Sequence, residues 1–451
     1  MHAENDHPEE TSTLGAEMPE GARFIGPVPG LEPRWTFPLD APTDADLAAC
    51  VACGLCLPHC PTYRLTGEES ASPRGRIAAM RSVAEGRSEP DQTFGGFMDL
   101  CLVCRACEDV CPSHVPFGRM AERARVQIEP LRTRRARSLR WLGLDVVLPR
   151  KKLLWLAAAL QPLGRLFLPG GVRSLVPRPS ELFRRLPRVT GPDGEARGTV
   201  ALLSGCVQDR WFRDVNRATI RVLARNGWRV VVPRAQRCCG ALAAHHGRLD
   251  TARRLAERNV RAFEDVDVVV VNAAGCGSHL KEVGELLGTE EAHTFATKVR
   301  DVTELLHEEG LSEPPAINPG FERVAYHDAC HALRAQRIRG QPRALLRTIP
   351  GLEIDEIPGG DVCCGAAGLY NVLEPEMSSE LRRRKAEAIA ATGATFVASA
   401  NPGCTMQIVA GLRELGSPAQ VLHPIEILDR AYAASEAAPA ASDDPPYSPS
   451  A

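Results

Sequence analysis

Cys50-Val51-Ala52-Cys53-Gly54-Leu55-Cys56-Leu57-Pro58-His59-Cys60-Pro61 returns, in spacing though not in filler, as Cys101-Leu102-Val103-Cys104-Arg105-Ala106-Cys107-Glu108-Asp109-Val110-Cys111-Pro112. Both stretches read C-x2-C-x2-C-x3-C-P, the ligand spacing of a bacterial-type [4Fe–4S] site. One C-x2-C alone would serve a zinc knuckle or a redox pair equally well. Four cysteines and a closing proline, given twice, point to electron transfer. Structural zinc more often pairs two C-x2-C knuckles across a longer gap.

Forty residues separate Cys60 from Cys101, and within them Ile77, Met80 and Val83 recur at helical spacing. Residues 41–130 therefore read as a helical, two-cluster, ferredoxin-like domain. In two-cluster arrangements the fourth cysteine of each run crosses over. The expected ligand sets are Cys50, Cys53, Cys56 and Cys111 for one [4Fe–4S] cluster, and Cys101, Cys104, Cys107 and Cys60 for the other. The crossing ties the two ends of the segment together.

The other eight of the sixteen cysteines mark an internal repeat. The first copy runs from Thr199 through Cys206, Cys238-Cys239-Gly240 and Cys276, and the second from Arg323 through Cys330, Cys363-Cys364-Gly365 and Cys404. In each, β-branched runs alternate with helical ones, which implies βαβ units and a parallel sheet. Every cysteine follows a strand or opens a helix, and ligands collect at the carboxyl ends of strands in open α/β sheets. Cys206, Cys238, Cys239 and Cys276 are thus expected to converge, as are Cys330, Cys363, Cys364 and Cys404. Adjacent cysteines point apart in a strand, so both face one centre only across a turn, for which Gly240 and Gly365 supply the backbone freedom. Thiols gathered at helix N-termini become metal ligands, since the helix end lowers their pKa and a metal holds the anions together.

Bulk composition narrows the rest. The 451-residue chain, 44% hydrophobic and 24% charged with net charge −2, reads as globular, with no sign of a nucleic-acid partner. Its longest apolar run, Leu153 to Leu160, is far short of the roughly 20 residues of a spanning helix. With no secretory signal expected in the polar, acidic first thirty residues, the cysteines suit a reducing cytoplasm. Residues 1–40, with eight acids against Arg23 and Arg34, read as a disordered lead-in, and 433–451 as a disordered tail. Residues 131–195 form a basic, proline-broken helical linker; it is either a connector or a patch touching an anionic membrane face or an acidic partner. The repeats are bounded at 196–310 and 320–432.

The repeats resemble the cysteine-rich CCG domain of heterodisulfide reductases and related respiratory iron–sulfur subunits, whose pattern C…CC…C-x-x-C carries five cysteines. Ala273 and Asn401 stand where that family has its fourth. Some members with all five bind a non-cubane cluster that is itself catalytic. With one ligand lost from both copies, a cluster with a substitute ligand, a zinc ion and an unmetallated thiol group stay open. His245, His246, His279, His327 and His331 lie near enough in sequence to be substitute ligands, since imidazole suits iron and zinc alike.

From 45 to 430 the chain resembles the iron–sulfur subunits of bacterial glycolate oxidases, through Cys60-Pro-Thr-Tyr-Arg-Leu-Thr-Gly-Glu-Glu69 with Ser72-Pro-Arg-Gly-Arg-Ile77, Ser204-Gly-Cys-Val-Gln208, Cys238-Cys-Gly-Ala-Leu242 with His246, Ala274-Gly-Cys-Gly277 and Cys363-Cys-Gly-Ala-Ala-Gly-Leu-Tyr370. The fold implied is α plus α/β: a helical dicluster domain followed by two CCG repeats with parallel sheets. The resemblance implies an electron conduit in a hetero-oligomer. FAD-binding dehydrogenase subunits would oxidise glycolate, or (R)-lactate, and this chain would pass the electrons toward a quinone or other acceptor, in the cytoplasm or peripherally at the membrane. Lactate and glycerol-3-phosphate dehydrogenase subunits, and a thiol–disulfide reductase working through the CCG sites, are the alternatives. No G-x-G-x-x-G fingerprint and no Ser-His-Asp order appears, so FAD and the substrate chemistry are expected on the partner, with no catalytic residue here.

Overall fold

Thr43, Ser72 and Asp91 each accept a backbone N–H from the first turn of the helix that follows, Asp44–Ala48, Pro73–Ala84 and Gln92–Asp99 respectively. These short helices start where the sequence places a capping oxygen. Their apolar faces, Ile77, Met80 and Val83 among them, close with helix Phe117–Gln127 on one core that includes Phe94, Met98 and Met120. The two cysteine loops are wrapped around that core. The computed structural model describes residues 26, 28–164, 177, 179 and 183–437.

The expectation of an unpacked lead-in over 1–40 fails for its end. Trp35 meets Phe94 edge to face with centroids 6.3 Å apart, and the Phe37 backbone exchanges two hydrogen bonds with the Gln127 side chain. Acid and proline content hid one aromatic anchor, and burying a ring of that size outweighs the polarity around it. Residues 1–25, and the tail beyond Ala437, lie outside the described residues. Residues 433–437 of the expected tail are helical: helix Pro424–Ala437 buries Ala431 and Tyr432, and Ser435 Oγ accepts the Ala316 and Ile317 N–H groups.

The basic stretch forms helices Arg134–Arg140, a π-wound Trp141–Val147 and Lys151–Gly164. Several of its cations are paired: Arg132 with Asp99 and Glu129, and Arg140 with Glu129. Leu139, Leu142, Leu156, Leu160 and Leu163 are exposed along it. No helix among the described residues is long and apolar enough to cross a membrane.

Strand β1 (Val189–Thr190), at the end of that linker, pairs antiparallel with β3 (Trp228–Val231) and edges a sheet otherwise parallel, in the order β1-β3-β2-β4-β5. The remaining strands are β2 (Gly198–Leu202), β4 (Val269–Val271) and β5 (Val299–Asp301). The second sheet is wholly parallel, β7-β6-β8-β9, from β6 (Arg323–His327), β7 (Glu353–Glu356), β8 (Phe396–Ser399) and β9 (Gln420–Leu422). Orders 3-2-4-5 and 7-6-8-9 are the same path, so the repeat is structural as well as sequential. Strands β5 (Val-Arg-Asp) and β9 (Gln-Val-Leu) escape the sequence pattern because each has a single β-branched residue and no apolar run to read.

The two repeats have apolar clusters largely of their own and also share one. One core runs through both, joining Val200, Leu202, Leu223 and Trp228 to Phe321, Val324, Tyr326 and Tyr432. At the opposite end the Ala274 N–H donates to Ala400 O at 3.0 Å, and the Gly275 N–H to Asn401 Oδ1 at 3.2 Å. Each sheet is too small to bury its faces alone, and pairing supplies the missing cover.

Candidate iron–sulfur and thiol sites

The two C-x2-C-x2-C loops bend the same way. Ala52 and Val103, each two residues past the first cysteine, have φ of +55° and +50°; Gly54 and Arg105, just after the second cysteine, have +86° and +61°. Left-handed residues in series turn successive N–H groups toward one point, a backbone nest for an anionic centre. For Val103, β-branched, that conformation is costly, and such strain persists where surroundings over-determine it at functional sites.

Cys50, Cys53, Cys56 and Cys111 line one small cavity of about 30 Å³, with Cys107 on its wall. Cys60 does not line that cavity and is near enough to Cys104 and Cys107 to help push both thiols up. Four thiols around such a backbone nest fit a [4Fe–4S] group. Burial pushes the Cys104 thiol up to about 12, with Cys330 adding to it, and Cys56 up to about 11, with Cys50 adding. Thiols so placed ionise together only around a cationic centre.

The stretch from Cys60 to Ile77 is the brace under Cys60. Thr62 Oγ1 donates to Ala71 O at 2.6 Å and lies 3.2 Å from Cys60 Sγ. Buried Arg76 donates to Thr62 Oγ1 and to Phe97 O, linking the two halves of the domain. Arg74 makes a forked pair with Glu69.

The eight remaining thiols converge as two groups of four. In the first repeat, Cys206 and Cys238 have sulfurs 3.2 Å apart, and Cys239 and Cys276 3.1 Å. In the second, Cys330, Cys363, Cys364 and Cys404 contact one another in the same succession. Gly240 and Gly365 have φ of +102° and +86°; a Cβ on Gly365 would lie 2.9 Å from Ser378 O, so the turn admits only glycine. What sequence did not reveal is that both groups line a single cavity of about 290 Å³. Leu102, Val103 and Arg125 of the dicluster domain line it too. Arg125 is the clamp: it donates to Met98 O and Cys101 O on one side and to His245 O on the other.

The five histidines separate. His331 Nε2 meets Val103 O at 3.0 Å, His246 Nε2 accepts the Leu369 N–H, and His245 Nδ1 pairs with Glu122 at 2.6 Å. His279 lines a second pocket with His245, His331 and Glu122. Among the described residues, only His327 forms a close ligand-like group with thiols, those of Cys364 and Cys404. Asn401 keeps contact with its site through Nδ2, 3.5 Å from Cys404 Sγ, while Ala273 has no side chain to offer.

Burial holds His245 and His279 down to about 4 and His423 to about 3. Each stays neutral in the fold but takes a proton below about pH 6.5 once unfolded. Unfolding therefore binds protons in the window from about pH 6.5 down to about pH 4, and stability falls as pH falls through it, by on the order of a few kcal/mol per histidine. Denaturant midpoints followed by far-UV ellipticity should drop steadily from about pH 7 to about pH 5; a flat profile would contradict this burial.

The family comparisons agree with this architecture. A 4Fe-4S dicluster domain matches residues 46–115, and a cysteine-rich domain matches 200–281 and again 324–409. The probable glycolate oxidase iron-sulfur subunit of Bacillus subtilis is 36% identical over 408 residues, covering 84% of this chain and 92% of that protein. The glycolate oxidase iron-sulfur subunit of Escherichia coli is 33% identical over 405 residues, covering 86% and 95%. Lactate utilization protein A of Oceanobacillus iheyensis is 31% identical over 236 residues, covering 51% of this chain and 96% of that protein. With a dicluster unit docked on two fused cysteine-rich repeats, and relatives matched over nearly their full length, this chain belongs to the family of glycolate oxidase iron–sulfur subunits.

Proposed function

We propose that this chain is the electron-transfer subunit of a flavin-dependent 2-hydroxyacid dehydrogenase complex, with glycolate as substrate of the partner. It takes electrons from reduced FAD on that partner and delivers them to a quinone or another acceptor. When bound, a [4Fe–4S] cluster takes up and releases one electron at a potential set by cluster type, hydrogen bonds to the sulfurs and exposure. Cys50, Cys53, Cys56 and Cys111 hold one cluster, and Cys101, Cys104, Cys107 and Cys60 the other.

The observation that carries the reading is the unbroken succession of thiols. Cys107 shares the wall of the first set's cavity while belonging to the second set. Cys104, of the second set, packs in one apolar cluster with Cys363 and Cys330 of the second repeat. Arg125 ties this row together, donating to Met98 O and Cys101 O in the dicluster unit and to His245 O in the first repeat. Three histidines, His245, His279 and His331, line a pocket with Glu122 beside the second loop.

The test is anaerobic addition of glycolate to the chain co-purified with its flavoprotein partner. Bleaching of the cluster absorption and a new reduced-cluster resonance, following flavin reduction, is the expected result. Flavin reduction with the clusters left oxidised through a full turnover would overturn the assignment. Iron analysis gives about eight irons per chain if the dicluster unit alone is filled.

A further inference from the structure

In the second repeat, β6 ends at His327, three residues before Cys330, and its side chain points into the protein rather than to water; the residue is 1% exposed. Neither ring nitrogen has a protein hydrogen-bond partner. That is rare for a buried polar group and asks for a cause. Among the described residues, His279, His331 and His423 each have one buried nitrogen without a partner, and His331 and His423 are hydrogen-bonded through the other. The Cys364 and Cys404 sulfurs and a His327 nitrogen all lie within 4.8 Å of one another, and all three residues are buried.

We infer that the second repeat holds one divalent ion of the zinc class between His327, Cys364 and Cys404, with a fourth coordination position open to the cavity. Two thiolates and an imidazole suit zinc, and three protein ligands with an open position is the pattern of reactive rather than structural zinc sites. Ligands at about 2.0–2.3 Å from a tetrahedral ion sit roughly 3.5 Å apart, so a group whose atoms lie within 4.8 Å of one another draws in to bind it. Cys364 and Cys404 line the 290 Å³ cavity and His327 stands behind them, which directs the open position toward the cavity. An exogenous donor there would be small and soft or anionic, a thiolate or water. Binding releases the two thiol protons. The buried Lys385, held by Gly359 O and Gly360 O, places a positive charge near Cys363, Cys364 and Cys404 and eases the remaining negative charge.

The first repeat lacks this arrangement. Leu203, three residues before Cys206 and equally buried, occupies the His327 position, and Ala273 the Asn401 position. The two halves of the cavity are therefore chemically unlike: thiols alone on one side, thiols with imidazole on the other. Neither half has the five thiolates of the full CCG pattern, and the second repeat meets the shortfall with nitrogen.

The full chain, purified anaerobically, is assayed for zinc and iron by mass spectrometry, then stripped of zinc and titrated with Co2+. About one zinc per chain is expected beside the dicluster iron, and cobalt should give the intense visible bands of a tetrahedral thiolate–imidazole site. His327→Leu, which copies the first repeat, should lose the zinc and these bands while keeping the iron and the cluster resonances as its control for folding. Cys276→Ser, in the first repeat, should keep the zinc. Zinc retained by His327→Leu, lost equally from Cys276→Ser, or absent from the parent chain along with any cobalt spectrum would overturn the inference, as would iron at this position.

Discussion

Cys104→Ser is expected to bring acceptor-linked turnover to background while substrate still reduces the flavin of the partner. Cys104 is buried where the dicluster unit meets the second repeat: it lies near Cys60 and Cys107 and packs with Cys330 and Cys363. Serine is nearly isosteric but a hard, weakly acidic oxygen, so it removes a soft ligand from the second set without opening a void. The first set, Cys50, Cys53, Cys56 and Cys111, is untouched. Iron should fall by about half and the resonances of one cluster should vanish, with flavin bleaching at its normal rate. Full acceptor-linked turnover in a variant proven to have lost that cluster would sink the conduit. Cys53→Ser is the informative companion. Cys53 is exposed and belongs to the first set, so comparing the two variants locates the order of transfer.

Arg343→Met should destabilise the repeat unit by about 3–5 kcal/mol, the cost of leaving one partner of a buried ion pair uncompensated. Arg343 is 5% exposed and donates to both oxygens of buried Asp328, each at 2.8 Å, and to both oxygens of Glu356 at 2.7 and 2.8 Å. Its guanidinium also lies 4.3 Å over the Tyr326 ring. Methionine fills the space but leaves Asp328 a buried, unpaired carboxylate between His327 and the Cys330 loop. Arg343→Lys should fall in between, since an ammonium keeps the charge but not the fork. Adding Asp328→Asn to Arg343→Met removes the orphaned charge and should recover part of the loss. Equilibrium denaturation measures all of these; a loss below about 1 kcal/mol in Arg343→Met would show that water reaches Asp328.

Much of this was legible in the residues, for reasons that can be named. Ligand spacing in the C-x2-C-x2-C-x3-C-P runs is a local constraint, written in consecutive positions. Strands β2, β4, β6 and β8, each followed within five residues by a cysteine, were legible because β-branched runs and their turns are local too. The glycines at 240 and 365 announced turns that the backbone then made. What misled was composition read in bulk. The acids of the lead-in masked Trp35, and the alanine-rich end of helix Pro424–Ala437 passed for tail although Tyr432 pins it. His245, His246, His279, His327 and His331 looked alike as sequence neighbours of cysteines. Only their three-dimensional partners distinguish the hydrogen-bonded ones from His327.

The sequence by itself determined the donor atoms: eight thiols in two runs of one spacing, eight more in two copies of one path, each a cysteine short of the full CCG pattern. Those are properties of residue type and of spacing along the chain, and they survive any arrangement of the parts. Only the tertiary structure decided that the copies share one core, that their thiols face one cavity closed by the second cysteine loop, and that the two halves of that cavity differ through His327 and Leu203. Such facts depend on contacts between residues far apart in the chain, where burial of apolar faces and satisfaction of buried polar groups select the arrangement, and no local pattern records the outcome.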